Sequence, residues 1–564
     1  MSSIVDEIVS LWSDVNPVVG YTSGYLGKLT ALLFQTPENV EKFYQRIEYL
    51  TTRLDEIADL DIRTTARTVL VSQRTQLELA RPSGAGPSGT GAGGVYAAAD
   101  GIFYILLKGD GNKPWVAGYL EVVREMIVFE AERWAEGNYT AEIRKECLNT
   151  VGYVDGNLKA MLQANPTVSS QVRAIEKALQ RYQEIFYSPG LASSEFKVYW
   201  PALLEGDAAS GPVRARGYPG TLKNYYALQM SEADVELQAK SWMQLDMPVT
   251  LDLARRIAPK VGAAQDSSLQ TVWDAVSRNY AVDFSAEKMQ KVLKACNDFG
   301  QRYIIGFTSA DKVLFDPTPG YLVNLVTGGE DFAVDYLTDK PYSQLYLTAS
   351  KNTSLLTMIN ILVHEASHGF NFVMSARKAP KLLNLNTSIE VPMTEGQAFY
   401  REYQYYAAAA DLVGQTGLDP VQQAYLNLYG TTPVDQANAV QAAQLETYIW
   451  RVIRYIRALC DTEVNGGKRT YTDFIAWAAA ATGLSEETLH GECFTFLAAP
   501  GYAPCYALGG AIYGFLQTKG IPNGVQEAAF NTEASSMGFS SWPVDQARLA
   551  KIAAGDRAPA GAAP

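Results

Sequence analysis

Residues 355–363 are apolar on nearly every side of a helix, and His364-Glu365-Ala366-Ser367-His368 follows without a break. Leu355, Leu356, Met358, Ile359, Ile361 and Leu362 give such a helix a buried body, and Asn352, Thr353 or Ser354 can cap it. A helix apolar all round runs through an interior. The chain must therefore fold around a segment carrying two imidazoles and a carboxylate. On a helix, four residues advance about 6 Å and turn about 400°, so His364 and His368 leave from nearly one face. Two neutral ring nitrogens so placed can grip one Zn²⁺, and Glu365 between them can serve as a general base toward water.

A catalytic zinc needs a third protein ligand, with the fourth position left for water. The chain has only one further histidine, His490, far downstream in ETLHGECF. A carboxylate is the better candidate. Glu395 lies 27 residues beyond His368, at the start of a predicted helix. Glu390 is the runner-up, but it precedes Pro392, where the chain is expected to be extended.

Composition narrows the rest. A length of 564 residues allows a large core, 47% hydrophobic and 19% charged residues describe a globular chain, and the net charge is −13. An acidic chain without a basic run argues against nucleic acid as the main partner. No uninterrupted apolar stretch is long enough for a bilayer, so no membrane is expected. The start, MSSIVDEIVSLWSDVNP, reads as an amphipathic helix, not a secretion signal. Cys147, Cys296, Cys460, Cys493 and Cys505 are scattered and show no CxxC spacing. Reduced, mostly buried thiols and a cytoplasmic location are the expectation. The oligomeric state stays open, a homodimer included.

The pattern is mainly helical. Val40, Phe43, Ile47, Leu50, Leu54 and Ile57 make one long apolar stripe, and residues 114–136 and 168–188 are similar. Helices resume at 391–412, 434–461, 470–483 and 503–518. Strand signals sit just before the histidines, at Tyr321–Val326 and Gln344–Thr348, separated by the turn-rich GGEDFAVDYLTDKPYS. The Gly/Ser/Pro loop 81–94 has glycines at spacings that mimic a phosphate cradle, but no strand precedes it and no GK[ST] follows, so it reads as a flexible surface loop. Residues 1–210 form an N-terminal helical part and 211–554 a helical part bearing the histidines. The two are expected to make one continuous fold, followed by a disordered tail, 555–564.

HEASH followed by Glu395 resembles the gluzincin metallopeptidases. The run Glu395-Gly396-Gln397-Ala398-Phe399-Tyr400-Arg401-Glu402 is similar to the pattern of the thermostable HExxH carboxypeptidases, helical relatives of angiotensin-converting enzyme and the thimet oligopeptidases. That resemblance implies Glu395 as third ligand. Glu402, two turns further along the same face, could hold a ligand histidine through its second nitrogen. A second resemblance, over residues 215–525, is to a bacterial domain-of-unknown-function family with metallopeptidase character. It rests on Glu395 to Glu402, Arg457 to Thr462, Thr472 with Ala476, Gly483-Leu484, Glu492, and Pro500-Gly501 with Tyr506 and Gly509. The chain departs from that family at the compact HEASH, at Asn465 and at Thr495.

Together these resemblances imply a large bilobed helical fold with a deep cleft and a small sheet beside the HExxH helix. They imply one Zn²⁺ held by His364, His368 and Glu395, and a peptide or small amide substrate. Glu365 is the expected base, and Tyr506, then Tyr502, the expected oxyanion donor; His490 is the remaining candidate. QLYLT, as an edge strand, could pair with an extended substrate. Hydrolysis of a non-peptide amide or ester, or a silent binding role on the same fold, are the alternatives. Asn465 and Thr495 bear on substrate choice and rate.

Overall fold

In the computed structural model the chain is mainly helical, with one small sheet among the described residues. The structure describes residues 3–79, 93–134, 141–186, 217–282, 285–320, 322–323, 326, 328–348, 354–497 and 499–555. Most of the 81–94 loop, the 210/211 boundary and the tail beyond 555 lie outside these residues, while Gly93 already begins the helix Gly93–Leu107. The main hydrophobic core draws side chains from Val18 to Ala553, so residues from both halves of the chain pack together. A second core joins the N-terminal helices to Phe372, Leu382 and Phe539.

The start of the chain forms the helix Ile4–Val15, closed by a reciprocal Ser3–Asp6 capping box. The apolar stripe over 40–57 is not one helix. Pro37–Thr52 ends at Arg53, and a short 3₁₀ turn, Leu54–Glu56, follows.

Three strands form the sheet: β1 (Val313–Pro317), β2 (Gly329–Val334) and β3 (Tyr342–Leu347), in the order β1-β3-β2. β1 runs parallel to β3 and β2 antiparallel, with Asp331 opposite Leu345 and Gly329 opposite Leu347. Two expectations change here. QLYLT lies in β3, which is the central strand, so its backbone is already paired on both sides and cannot offer an edge. The segment read as a turn, GGEDFAVDYLTDKPYS, contains β2. Conversely, Leu322 and Val323 lie in a turn, and Tyr321, Asn324 and Leu325 are outside the described residues. The apolar residues of β2, Phe332, Ala333 and Val334, are consecutive and confined to its last half, and the acids Glu330 and Asp331 before them mask the strand.

The motif helix, Leu355–Lys378, crosses the interior as its apolar surface requires. Ser354 caps it, accepting from the Thr357 N–H. Leu356, Met358, Ile359, Leu362, Val363, Phe370 and Val373 are all buried. Each contributes about 1.5–3 kcal/mol by leaving water, which offsets the cost of enclosing polar groups on the same helix. Gly369 lets the sheet approach. A Cβ there would meet Val313 Cγ2 at 2.9 Å, Asp331 Oδ1 at 3.0 Å and Ser343 Cβ at 3.1 Å.

The carboxylate helix Val391–Leu412 and the arginine helix Pro433–Cys460 pack on the motif helix, and the tyrosine helix Ala503–Gly520 packs on both of them. The carboxylate and tyrosine helices touch backbone to backbone. A Cβ on Gly396 would stand 2.4 Å from the Gly509 carbonyl carbon, and one on Gly509 would stand 1.9 Å from the Pro392 oxygen. Only glycine at both positions permits that approach, and the approach carries Tyr502 and Tyr506 to Glu395. No helix among the described residues is long and apolar enough to cross a membrane.

Candidate metal centre

His364 and His368 leave one face of the motif helix with ring centroids 5.0 Å apart. Glu395, in the second turn of the carboxylate helix, reaches between them. Its Oε2 lies 3.3 Å from His364 Nε2 and 3.5 Å from His368 Nε2. The three ligand atoms lie within 4.8 Å of one another. Tetrahedral bonds of about 2.0–2.1 Å put neighbouring ligand atoms roughly 3.3 Å apart, so this spacing suits a zinc ion. Glu395 Oε2 is also buried and without a hydrogen-bond partner. A buried carboxylate oxygen set between two imidazole nitrogens makes a donor set suited to a divalent cation. The residues fit the group.

The surroundings hold these donors in place. Glu402 is buried, and its Oε1 lies 2.7 Å from His364 Nδ1. A proton on Nδ1 leaves Nε2 with its lone pair directed at Glu395. Arg454, from the arginine helix, pairs with both oxygens of Glu402, and Asn360 Nδ2 donates to Oε2 at 3.2 Å. The Arg454 guanidinium also lies 4.6 Å from the Phe399 ring centroid. Tyr502 donates its hydroxyl to Glu395 Oε1. Tyr506 lays its ring alongside His364 at 6.1 Å and against Phe496 and Tyr502.

His364 and Glu395 set each other's protonation. Burial opposes a charge on His364, but the carboxylates of Glu395 and Glu402 beside it overrule it and push its pKa up to about 10. Burial likewise works against an ionised Glu395, yet the two adjoining imidazoles hold its carboxyl well below the usual range. A dication would displace those protons. Glu365 is half-buried and points to the sheet side of the motif helix, where a Cβ on Gly329 would come within 2.8 Å of its Cγ. Burial drives its pKa far up; His364 draws it down, and Glu395, Asp331 and Glu330 push it further up.

The structure thus brings together His364, Glu365, His368, Glu395, Glu402, Tyr502 and Tyr506. It gives His490 other company. His490 is exposed on the helix Glu486–Leu497, with Nδ1 3.0 Å from the Tyr471 hydroxyl and its ring against Tyr471 and Phe494. Glu390 is not extended: its backbone is helical, and its carboxylate accepts from Thr387. Asn465 is buried in the π-helical turn Asp461–Asn465 and donates to Asp461 Oδ1. Asp461 in turn accepts from the Gly501 N–H at 2.8 Å, bracing the turn before the tyrosine helix. The side chain of Thr495 lies outside the described residues. Arg454 and Asn360 escaped the sequence reading. Their only signals were a place among several arginines on the helix Pro433–Cys460 and an amide one turn before His364.

No protein-family model and no curated protein matches the chain. Solved structures of similar fold do. One is a "putative lipoprotein" from Colwellia psychrerythraea, at TM-score 0.65 and 13% identity, covering 98% of this chain and 100% of that one. Another is a "putative lipoprotein of unknown function" from Shewanella oneidensis, at TM-score 0.59 and 12% identity, covering 97% and 100%. At such identities the likeness is one of fold alone. Trypanosoma cruzi metallocarboxypeptidase 1 stands at TM-score 0.37 and 14% identity, too far in shape to bear on the chemistry.

Proposed function

We propose that this chain is a zinc-dependent hydrolase of peptide bonds, of carboxypeptidase or oligopeptidase type. The observation that carries the reading is the buried Oε2 of Glu395 set between His364 Nε2 and His368 Nε2. His364, His368 and Glu395 would hold the ion. When bound, zinc polarises a carbonyl and brings the pKa of water to about 7. Glu365 takes the proton of the attacking water and passes it to the leaving amine nitrogen. Tyr506 donates to the oxyanion that develops on the scissile carbonyl. Tyr502 acts one step back: it holds Glu395 through Oε1 and leaves Oε2 for the ion. Glu402 does the same for His364, with Arg454 and Asn360 fixing Glu402.

The sheet supplies a place for an extended substrate. Among the described residues β2 is an edge strand, and it passes Glu365 at Gly329. A peptide in β-conformation can pair with such an edge. Buried thiols at Cys296, Cys460, Cys493 and Cys505 support a reducing, cytoplasmic setting.

Purified protein, stripped with a chelator and resupplied with Zn²⁺, should take up about one ion per chain. It should then cleave members of a panel of short peptides, and lose that activity on renewed chelation. Protein that takes up no zinc, or whose peptide cleavage is indifferent to chelator, would overturn the reading.

A further inference from the structure

Glu402 borders a second feature besides the metal ligands. A small cavity, with room for one water-sized guest, lies where the motif, carboxylate and arginine helices meet. Its motif-helix side is mostly aliphatic, while Glu402, Asn360, Glu446, Thr447 and Tyr429 bring oxygen to its wall.

The two carboxylates on that wall differ. Glu402 is answered by Arg454. Glu446, on the arginine helix, is 1% exposed, and no cation pairs with it among the described residues. Ser354 Oγ donates to its Oε1 at 3.0 Å and Thr357 Oγ1 to its Oε2 at 3.0 Å. These donors are neutral and sit at the N-terminus of the motif helix, whose dipole is worth about half a positive charge. Part of the carboxylate's charge is therefore left over, and a buried charge without a full partner weighs against folding. Burial pushes the Glu446 carboxyl up to about 7, against the hydrogen bonds that draw it down.

The rest of the polar wall offers lone pairs. Tyr425 donates to the Tyr405 carbonyl at 2.9 Å, so across the 3.1 Å between the Tyr425 and Tyr429 hydroxyls it is Tyr429 that donates. Thr447 donates to the Ala443 carbonyl at 3.0 Å. Asn360 turns Nδ2 to Glu402 and keeps Oδ1 as an acceptor. Tyr405 directs its hydroxyl elsewhere, to Gly300, where a Cβ would stand 2.0 Å from it. Tyr406 is half-buried and takes a hydrogen bond from Gln444. With Glu402 and Arg454 cancelling, one negative charge remains among neutral oxygens. That is the complement of a single monovalent cation; a calcium-like dication takes six to eight oxygens, carboxylates prominent among them.

We propose that this cavity binds one monovalent cation of potassium's size, with Glu446 as its counter-charge and the oxygens of Tyr429, Thr447 and Asn360 as further ligands. A bare potassium ion is as large as the water molecule the cavity admits. The ion ties the first turn of the motif helix to the arginine helix. It does not depend on zinc, and the test is made on protein stripped of divalent metal.

The full-length protein is melted in potassium chloride and in tetramethylammonium chloride, whose cation is too large to enter, at equal ionic strength. Potassium should raise the melting temperature of the wild type by about 1–3 °C. Glu446→Gln, which keeps the shape and removes the charge, should melt at one temperature in both salts. Crystals soaked in thallous acetate should show the anomalous signal of that potassium mimic beside Glu446. Equal melting of the wild type in the two salts means that the cavity holds water only, and sinks the proposal. So does a potassium response that Glu446→Gln retains. A thallous peak without a stability response marks an adventitious ion only and counts against the site. Should Glu446→Gln fail to fold, the wild-type melting shift and the thallous peak decide together: both present support the site, and either one missing overturns it.

Discussion

Two walls meet at the motif helix, and they treat buried carboxylates in opposite ways. On the side of the carboxylate helix, Glu395 faces two imidazoles and Glu402 faces Arg454, Asn360 and His364. On the side of the sheet, burial pushes Glu330 up to about 7 and Asp331 up to about 8, with Ser343 as the donor to Asp331. Asp100, on the helix Gly93–Leu107, is pushed up to about 8 in the same neighbourhood, with a hydrogen bond from Tyr153 as partial relief. Enclosure is common to both walls. The presence of a cation is what differs, and it decides which carboxylates are ionised. Glu365 stands on the boundary. Without a metal it shares the fate of the sheet wall; a dication at His364 and His368 would pull it toward the other.

The boundary position of Glu365 is the first thing to break. Glu365→Gln keeps the shape and removes the base. Peptide hydrolysis should fall by about 10²–10⁴-fold while zinc content, read by metal analysis, stays at the wild-type level. If the variant cleaves peptides as well as the wild type, Glu365 is not the base. On the other wall, Tyr506→Phe removes a proposed oxyanion donor. It should lower kcat by about 10²–10³-fold with little change in KM. Tyr502→Phe should instead loosen zinc, because its hydroxyl is spent on Glu395. A reversal of these two phenotypes would exchange the roles of the tyrosines.

Glu402→Gln tests whether the paired wall matters to the ligands themselves. It breaks the hold on His364 and leaves Arg454 without its counter-charge. Zinc affinity, measured by competition with a chromogenic chelator, should drop by about 10–100-fold. Combined with Arg454→Met, the loss should be less than the sum of the two single losses, since both act through one contact. Strict additivity would mean that Arg454 supports the fold and not the histidine.

The parts of this arrangement that were legible in sequence are those written in local spacing. His364 and His368 need only a helix to share a face, and the helices 391–412 and 434–461 were visible from their periodicity. The place of Glu402, two turns beyond Glu395, followed from the same rule. Contacts between elements were not legible. Arg454 is one of several arginines on its helix, and nothing local says which of them turns inward. β2 was read as a turn because acids occupy Glu330 and Asp331, where a strand packed on a helix normally carries apolar residues. QLYLT was recognised as a strand, but its central place depends on that unrecognised partner. His490 drew notice through the rarity of histidine in this chain. Rarity gives a residue no address in space, and His490 lies exposed beside Tyr471.

The sheet wall makes its own prediction, smaller than the others and independent of catalysis. In the unfolded chain Asp331 ionises near the ordinary aspartate value of about 3.9, whereas in the fold it keeps its proton up to about pH 8. Between those values the folded state binds more protons than the unfolded state, so stability declines as pH rises. The contribution is whole below about pH 4 and is lost by the time pH passes about 8. Each such group adds a slope of about 1.4 kcal/mol per pH unit inside its window. Glu330 and Asp100 add to it in the same sense, with windows set by their own raised values. Asp331→Asn removes one titrating group and keeps an oxygen to accept from Ser343. In the metal-free protein, urea midpoints taken between about pH 5 and about pH 8 should therefore fall less steeply for the variant than for the wild type. An unchanged slope would mean that Asp331 finds a cation in solution, and that the two walls are more alike than their residues imply.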